Sequence, residues 1–273
     1  MRKDDMTTAS ALHAQDVTLS YDARRVAEGL DVAIPDGEVT VIIGPNACGK
    51  STLLRALSRL LAPSTGRVLL GGEDIRSFAP KELARRLGLL PQSSTAPFGI
   101  TVADLVGRGR FPHQRMLQQW SLDDEAAVRR ALDATGVADL ADRPVEELSG
   151  GQRQRVWIAM LLAQDAPVML LDEPTTFLDI AHQLDVLELC RRLNREEGRT
   201  MVLVLHDLNQ AARYADHLVV MRDGALVAAG SPADVLTEEL LARVFGLTAR
   251  VLEDPVFGTP LVIPIAGSAE QPR

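Results

Sequence analysis

Gly44-Pro45-Asn46-Ala47-Cys48-Gly49-Lys50-Ser51-Thr52 fits the pattern G-x-x-x-x-G-K-[ST], and its flanks decide how it is read. Val39-Thr40-Val41-Ile42-Ile43 before it is β-branched and apolar, as a buried strand would be. Leu53 to Leu61 after it places apolar residues at helical spacing. A loop between such elements turns successive backbone N–H groups, and the positive end of a helix, toward one spot that suits a polyphosphate. On this reading Gly44, Pro45, Asn46, Ala47, Cys48, Gly49, Lys50, Ser51 and Thr52 wrap the phosphates of a nucleotide. Lys50 reaches the β- and γ-phosphates, and the Ser51 hydroxyl takes a place on Mg²⁺. A glycine turn that matched by accident would lack the strand and the helix.

Composition agrees. Only three of the 29 basic side chains are lysines (Lys3, Lys50, Lys81), so a chain that otherwise uses arginine keeps a compact point charge inside this loop. The 273 residues can hold one large domain or two small ones with ample core. A net charge of −8 argues against a nucleic-acid partner. No apolar run approaches a membrane span, and Met1 to Leu12 is too polar for a signal peptide. The expectation is a cytosolic protein that meets a membrane only through a partner. Cys48 and Cys190 form neither a disulfide framework nor a zinc cluster. Cys48, at a helix start two residues before Lys50, is expected to have a depressed pKa and a reactive thiol. Cys190, on an apolar helix, is expected to react slowly.

Outward from the loop, strands alternate with helices. Leu12 to Asp36 reads as short strand-like runs closed by Pro35-Asp36-Gly37, and with Gly66 to Leu70 it predicts a small antiparallel sheet. A helix is expected over Pro80–Arg86 and a strand over Leu87–Leu90. Three amphipathic helices, Thr101–Val106, Asp123–Thr135 and Val137–Ala141, make an inserted helical subdomain over about 92–163. Val168-Met169-Leu170-Leu171 and Met201–Leu205 read as further buried strands. Helices follow over Ile180–Glu197 and Asp207–Tyr214, then a hairpin around Asp223-Gly224 and short helices after Pro232 and Thr237. The pattern is α/β, a parallel sheet with its chemistry at the strand C-terminal ends. Residues 247–273 form a Pro/Gly-containing tail too short for another domain.

Each strand end carries a polar group. Asp172 is placed for Mg²⁺. Glu173 can accept a proton from the water that attacks the γ-phosphate, and Gln92 can sense the metal and that water. His206 can hydrogen-bond the γ-phosphate, and Tyr21 can stack on the adenine. Ser149-Gly150-Gly151-Gln152 stands at a helix start and forms a second anion site with no role within one copy. A second copy, head to tail, would use it to cover the γ-phosphate, so that two nucleotides are sandwiched in a two-fold dimer.

Taken together, the Gly44–Thr52 loop, Gln92, Leu148–Gln152, Leu171-Asp172-Glu173-Pro174, Leu178-Asp179 and His206 resemble the ATPase subunit of an ABC transporter, in the family's order and spacing. The resemblance covers residues 11–246. It implies the ABC ATPase fold: a P-loop NTPase core with a parallel sheet, a small antiparallel β subdomain and the helical insertion. It adds Asp179 to the groups given in trans, and implies permease subunits, a peripheral place on the cytoplasmic face of the bacterial inner membrane, and ATP hydrolysis coupled to transport. Gly107–Gln114, Pro174–Gln183 and Leu205–Ala211 are similar to ATPases of ferric-siderophore and cobalamin importers, and Asp254–Leu261 to ferric-enterobactin-type subunits. A siderophore-binding protein would then be an indirect partner. Pro97, Phe98, Ile100, Arg108, Arg110 and Phe111 are candidates to face a cytoplasmic helix of the permease. Many family members have Gly where this chain has Ala47; if that position needs φ > 0, Ala strains the loop by roughly 1 kcal/mol.

Other classes stand beside this one. A cobalamin or haem importer would use the same machinery on another cargo. A soluble ABC ATPase acting on DNA or ribosomes would carry two ATPase halves, long coiled-coil insertions or zinc cysteines. A plain P-loop kinase or GTPase would have no use for Leu148–Gln152. With His182 and His206 separated and no Cys/His/carboxylate cluster, direct iron binding is not expected.

Overall fold

The computed structural model describes residues 10–22, 24–114, 120–176 and 178–265. Two long strands, β1 (Ser10–Tyr21) and β2 (Arg24–Pro35), pair antiparallel; β3 (Val39–Ile43) then runs into the glycine-rich loop and α1 (Lys50–Leu57). β4 (Thr65–Leu70) and β5 (Glu73–Asp74) complete a four-stranded sheet of order β2-β1-β4-β5. After α2 (Pro80–Arg86) and β6 (Leu87–Leu90) come the helices α3 (Val102–Gly107), α4 (Leu122–Thr135) and α5 (Gly150–Ala163). The chain returns through β7 (Val168–Asp172), α6 (Ile180–Glu197), β8 (Thr200–Val204), α7 (Leu208–Tyr214) and the hairpin β9 (His217–Arg222) with β10 (Ala225–Gly230). α8 (Pro232–Val235), α9 (Glu238–Phe245) and the strands β11 (Ala249–Glu253) and β12 (Pro260–Pro264) follow.

The larger sheet has six strands in the order β10-β9-β3-β8-β7-β6. All its pairs are parallel except β9–β10. Its central strands are apolar throughout because both of their faces are covered, and alternate side chains feed two cores. Val41, Met169, Leu171, Leu203 and Val220 point toward the helical side. Ile42, Leu170, Val202, Val204 and Val219 point toward α1 and the antiparallel sheet. Parallel pairing also aligns the strand ends: the loops that leave β3, β6, β7 and β8 emerge at one edge.

In the helical insertion, Ser121 and Asp124 form a capping box on α4, and left-handed Gly136 stops it. Val137–Ala141, expected as a helix, is only a short 3-10 turn over Ala138–Leu140. Arg110 and Ile100 are corrected as permease contacts, because they are 7% and 8% exposed and serve the fold. The Arg110 guanidinium donates to Asp124 at 2.8 Å and to the Ala163 carbonyl at 2.8 Å, which ties α4 to α5. Phe98 and Phe111, by contrast, are 96% and 63% exposed. The tail is more ordered than a Pro/Gly stretch suggests: β11 and β12 form a hairpin whose Val262 is buried and whose backbone exchanges two hydrogen bonds with Asn209 of α7. Residues 266–273 of the tail and Phe177 lie outside the described residues.

Candidate active site

The loop after β3 bends sharply at Gly44, where φ is 155° and a Cβ would sit 2.1 Å from the Met221 carbonyl of β9. No side chain fits there. At its far end Gly49, φ 105°, starts α1 with no side-chain cap, so the first N–H groups of the helix are left open to an anion. Ala47 between them has φ 60°, the strained value expected if the position favours glycine.

Lys50 is 5% exposed, and its Nζ donates to the Gly44 and Pro45 carbonyls at 2.8 and 3.0 Å. The ammonium thus closes the loop from inside and stays close to where a phosphate would sit. Asn46, Ala47, Gly49, Lys50, Ser51 and Thr52 line a cleft of about 350 Å³ together with Tyr21, Glu173 and His206. Tyr21 is half-exposed, with the Arg55 guanidinium 5.7 Å from its ring centroid. Sequence reasoning missed Arg24 and Val26 on the same wall. The signal was the hairpin: Arg24 is the register partner of Tyr21.

Gly44, Pro45 and Cys48 do not line the cleft. Cys48 corrects an expectation. Its thiol is 3% exposed and turned back under the loop, where it lies 2.8 Å from the Cβ that Gly44 lacks. Burial pushes its pKa up, and the nearby Lys50 charge and N–H groups offset only part of that. The thiol is therefore not activated. Cys190, wholly buried in α6, is pushed up to about 12.

β7 delivers Asp172 and Glu173. Ser51 Oγ donates to Asp172 Oδ1 at 3.0 Å, so two of the three residues expected at Mg²⁺ (Ser51, Asp172 and Gln92) meet across 121 residues. Burial raises the Asp172 pKa, with the adjacent Glu173 adding to the rise and Ser51 and Lys50 opposing it. A buried carboxylate and a hydroxyl, both oxygen donors, fit a hard divalent cation that draws its other ligands from phosphate and water. Among the described residues no group of three or more His, Cys, Asp or Glu could hold a metal ion by itself, so the fit is to a phosphate-shared cation.

Glu173 takes a left-handed backbone, φ 52°, which turns its side chain sharply off the strand. His206 Nε2 lies 2.6 Å from Oε1, while Gln92 Nε2 and Thr176 Oγ1 donate to Oε2 at 2.7 and 3.1 Å. Burial alone would raise this carboxyl; His206, Thr176 and Gln92 outweigh it and hold the pKa below its ordinary value. The structure thus joins Gln92, Glu173 and His206, from three strand ends, on one carboxylate. Thr176 was missed, although it stands one turn after Glu173.

Ser149, Gly150, Gly151 and Gln152 lie elsewhere. Ser149 caps α5 in a reciprocal box with Gln152, and neither it nor the two glycines lines the cleft of the glycine-rich loop. Gly150 instead borders a second pocket of about 250 Å³ with Gln92, Glu173 and Leu178. Asp179 caps α6, accepting from the His182 N–H and lying 2.7 Å from its Nδ1. The His182 ring packs so tightly on Gly151 that a Cβ there would come within 2.5 Å.

The comparisons with known proteins point the same way. The family model described as ABC transporter matches residues 27–176. The ferric enterobactin transport ATP-binding protein FepC of Escherichia coli (strain K12) is 56% identical over 96% of this chain and 97% of its own length. The achromobactin transport ATP-binding protein CbrD of Dickeya dadantii (strain 3937) is 53% identical over 97% of this chain and 98% of its own. A dimeric structure of MJ0796, a bacterial ABC transporter cassette, superposes with a TM-score of 0.72 at 27% identity, over 81% of this chain and 98% of that one. A glycine-rich phosphate loop, a strand-end carboxylate held by Gln92 and His206, and near full-length likeness to transport ATP-binding proteins have one common explanation: the chain belongs to the ABC transporter family, as one of its ATP-binding subunits.

Proposed function

We propose that this chain hydrolyses ATP with Mg²⁺ and couples the reaction to import of a ferric siderophore, working as a head-to-tail dimer beneath membrane permease subunits. The observation that carries the chemistry is the Glu173 carboxylate, ionised and held at the mouth of the cleft by residues from two other strand ends. ATP would lie with its base against Tyr21 and its phosphates on the loop N–H groups and Lys50. Ser51 and Asp172, with Gln92 close by, would hold Mg²⁺, which would neutralise charge on the phosphates. Glu173 takes the proton of the attacking water. His206 sits on Oε1 and Gln92 and Thr176 on Oε2, which leaves a lone pair of Oε1 for that water. A move of His206 from Glu173 to the γ-phosphate on binding nucleotide would open Oε1 further.

Dimerisation would bring the partner's Ser149, Gly150, Gly151, Gln152 and Asp179 over the open side of that phosphate. That MJ0796 is dimeric supports a dimer here. The cargo reading rests on the names of FepC and CbrD, whose lengths this chain matches almost completely. No helix of the described residues is long and apolar enough to cross a membrane, so anchorage at the cytoplasmic face would come from the permease. Phe98 and Phe111, with Pro97 and Arg108, offer exposed side chains to it, and a groove of about 770 Å³ opens beside Arg108, Phe111 and Trp120. A siderophore-binding protein would meet the permease rather than this chain, and neither iron nor nucleic acid would bind it directly.

Glu173→Gln keeps the shape and removes the base, so turnover should fall by roughly 10²–10⁴ while ATP still binds. Uptake of radioactive iron supplied as a ferric siderophore should be lost from the host on deletion of this gene. The wild-type gene should restore it and Glu173→Gln should not. Normal uptake in the deletion strain would remove the cargo assignment and leave the hydrolysis untouched.

A further inference from the structure

Two side chains in the stretches Pro174–Gln183 and Leu205–Ala211 have no place in the chemistry above, and they meet. Gln210 Nε2 donates to Gln183 Oε1 at 2.8 Å, and Gln183 Nε2 donates to the Leu178 carbonyl at 3.0 Å. The direction of this line is fixed at one end. A backbone carbonyl only accepts, so Gln183 must give its NH₂ to Leu178 and turn its oxygen to α7, where Gln210 must donate.

The line joins two working parts. At one end Asp207, next to His206, caps α7 by accepting from the Gln210 N–H at 2.8 Å. The helix is also tied along its length by Asn209 on Val262 and by Arg213 and Tyr214 on Glu188. At the other end Leu178 shares the second pocket with Gln92 and Glu173, and Asp179 follows it. We infer that Gln183 and Gln210 are positioning residues, which hold the Leu178–Asp179 loop in register with the strand end that carries His206. A shift of His206 on binding nucleotide is then passed through α7 to the loop. The inference rests on the ATP-hydrolysis reading, and it names how two separate loops of that site keep step.

Polarity tests it. Gln210→Lys offers Gln183 only donors; Gln210→Glu offers only acceptors, and Gln183→Glu loses the donor to Leu178. In steady-state ATPase assays of the full chain, kcat should fall about tenfold in both Glu variants, with KM within about twofold, the size of one lost hydrogen bond. Gln210→Lys should keep about half or more of wild-type kcat, because the donor is restored. Amide hydrogen exchange without nucleotide gives a second readout: residues 178–183 should exchange faster in Gln210→Glu than in Gln210→Lys. Equal kcat in the two Gln210 variants, or equal exchange where the wild type has no turnover to compare, overturns the inference. A wild-type chain with no ATPase activity would sink the hydrolysis reading instead, and the exchange comparison still decides this one.

Discussion

α1 and α5 both begin at glycine-rich turns, and they finish those turns in opposite ways. α1 starts at left-handed Gly49 with no side-chain cap, over a buried Lys50 that bonds two loop carbonyls. α5 starts at an exposed Ser149 whose Oγ accepts from the Gln152 N–H at 3.3 Å, while Gln152 Oε1 accepts from the Ser149 N–H at 3.1 Å. The first helix start is held ready by β9 against Gly44 and by the side chain of its own first residue, Lys50, beneath the loop. Its donors are free for phosphate. The second completes itself, because its own chain offers it nothing else. A hydroxyl both accepts and donates, so Ser149 can keep its cap and still give its proton to a partner's nucleotide.

The largest effect expected from this difference is at Lys50. Lys50→Ala removes the charge and the inner closure, and turnover should fall by roughly 10²–10³. Ser149→Arg should also abolish turnover, by filling the space a partner's phosphate needs. Mixed in equal amounts, the two inactive chains should recover up to about a quarter of wild-type activity, since half the dimers carry one intact composite site of two. No recovery above the sum of the two would break the head-to-tail arrangement.

Ser149→Ala sharpens the comparison from the other side. It removes a cap and should cost about 1 kcal/mol of stability, read from denaturant midpoints. Were Ser149 purely a trans ligand, stability would not move. Next comes Cys48, which reports whether the loop is closed at rest. With the thiol buried and its pKa raised, a maleimide should label neither Cys48 nor Cys190 appreciably in the native chain, and both after denaturation. Rapid native labelling of Cys48 that Mg-ATP slows would mean that the loop opens. Ala47→Gly should have the smallest effect. Relief of the left-handed strain at φ 60° is worth up to about 1 kcal/mol, and glycine's greater freedom when unfolded cancels part of it. A thermal shift of more than a few degrees in either direction would contradict that balance.

The sequence by itself determined the elements and the chemistry of each strand end. Val39–Ile43 and Val168–Leu171 could only be buried strands, because uninterrupted β-branched and aliphatic runs have no polar face to show to water. The phosphate loop was legible because its signal is local, nine residues between a strand and a helix. What the sequence could not decide was anything set by the order of strands. Only the fold sets β7 between β8 and β6, and so brings His206 onto Glu173 across 33 residues of chain and Gln92 onto it across 81. Cys48 and Arg110 were misread for the same reason. Both carry groups that look reactive or exposed in the chain, and their burial depends on neighbours distant in sequence: Cys48 packs with strand residues on one side of the sheet, and Arg110 is held by Asp124 and Ala163. Local chemistry is written along the chain, whereas desolvation and pairing are properties of three-dimensional neighbours, and those were decided by the tertiary structure.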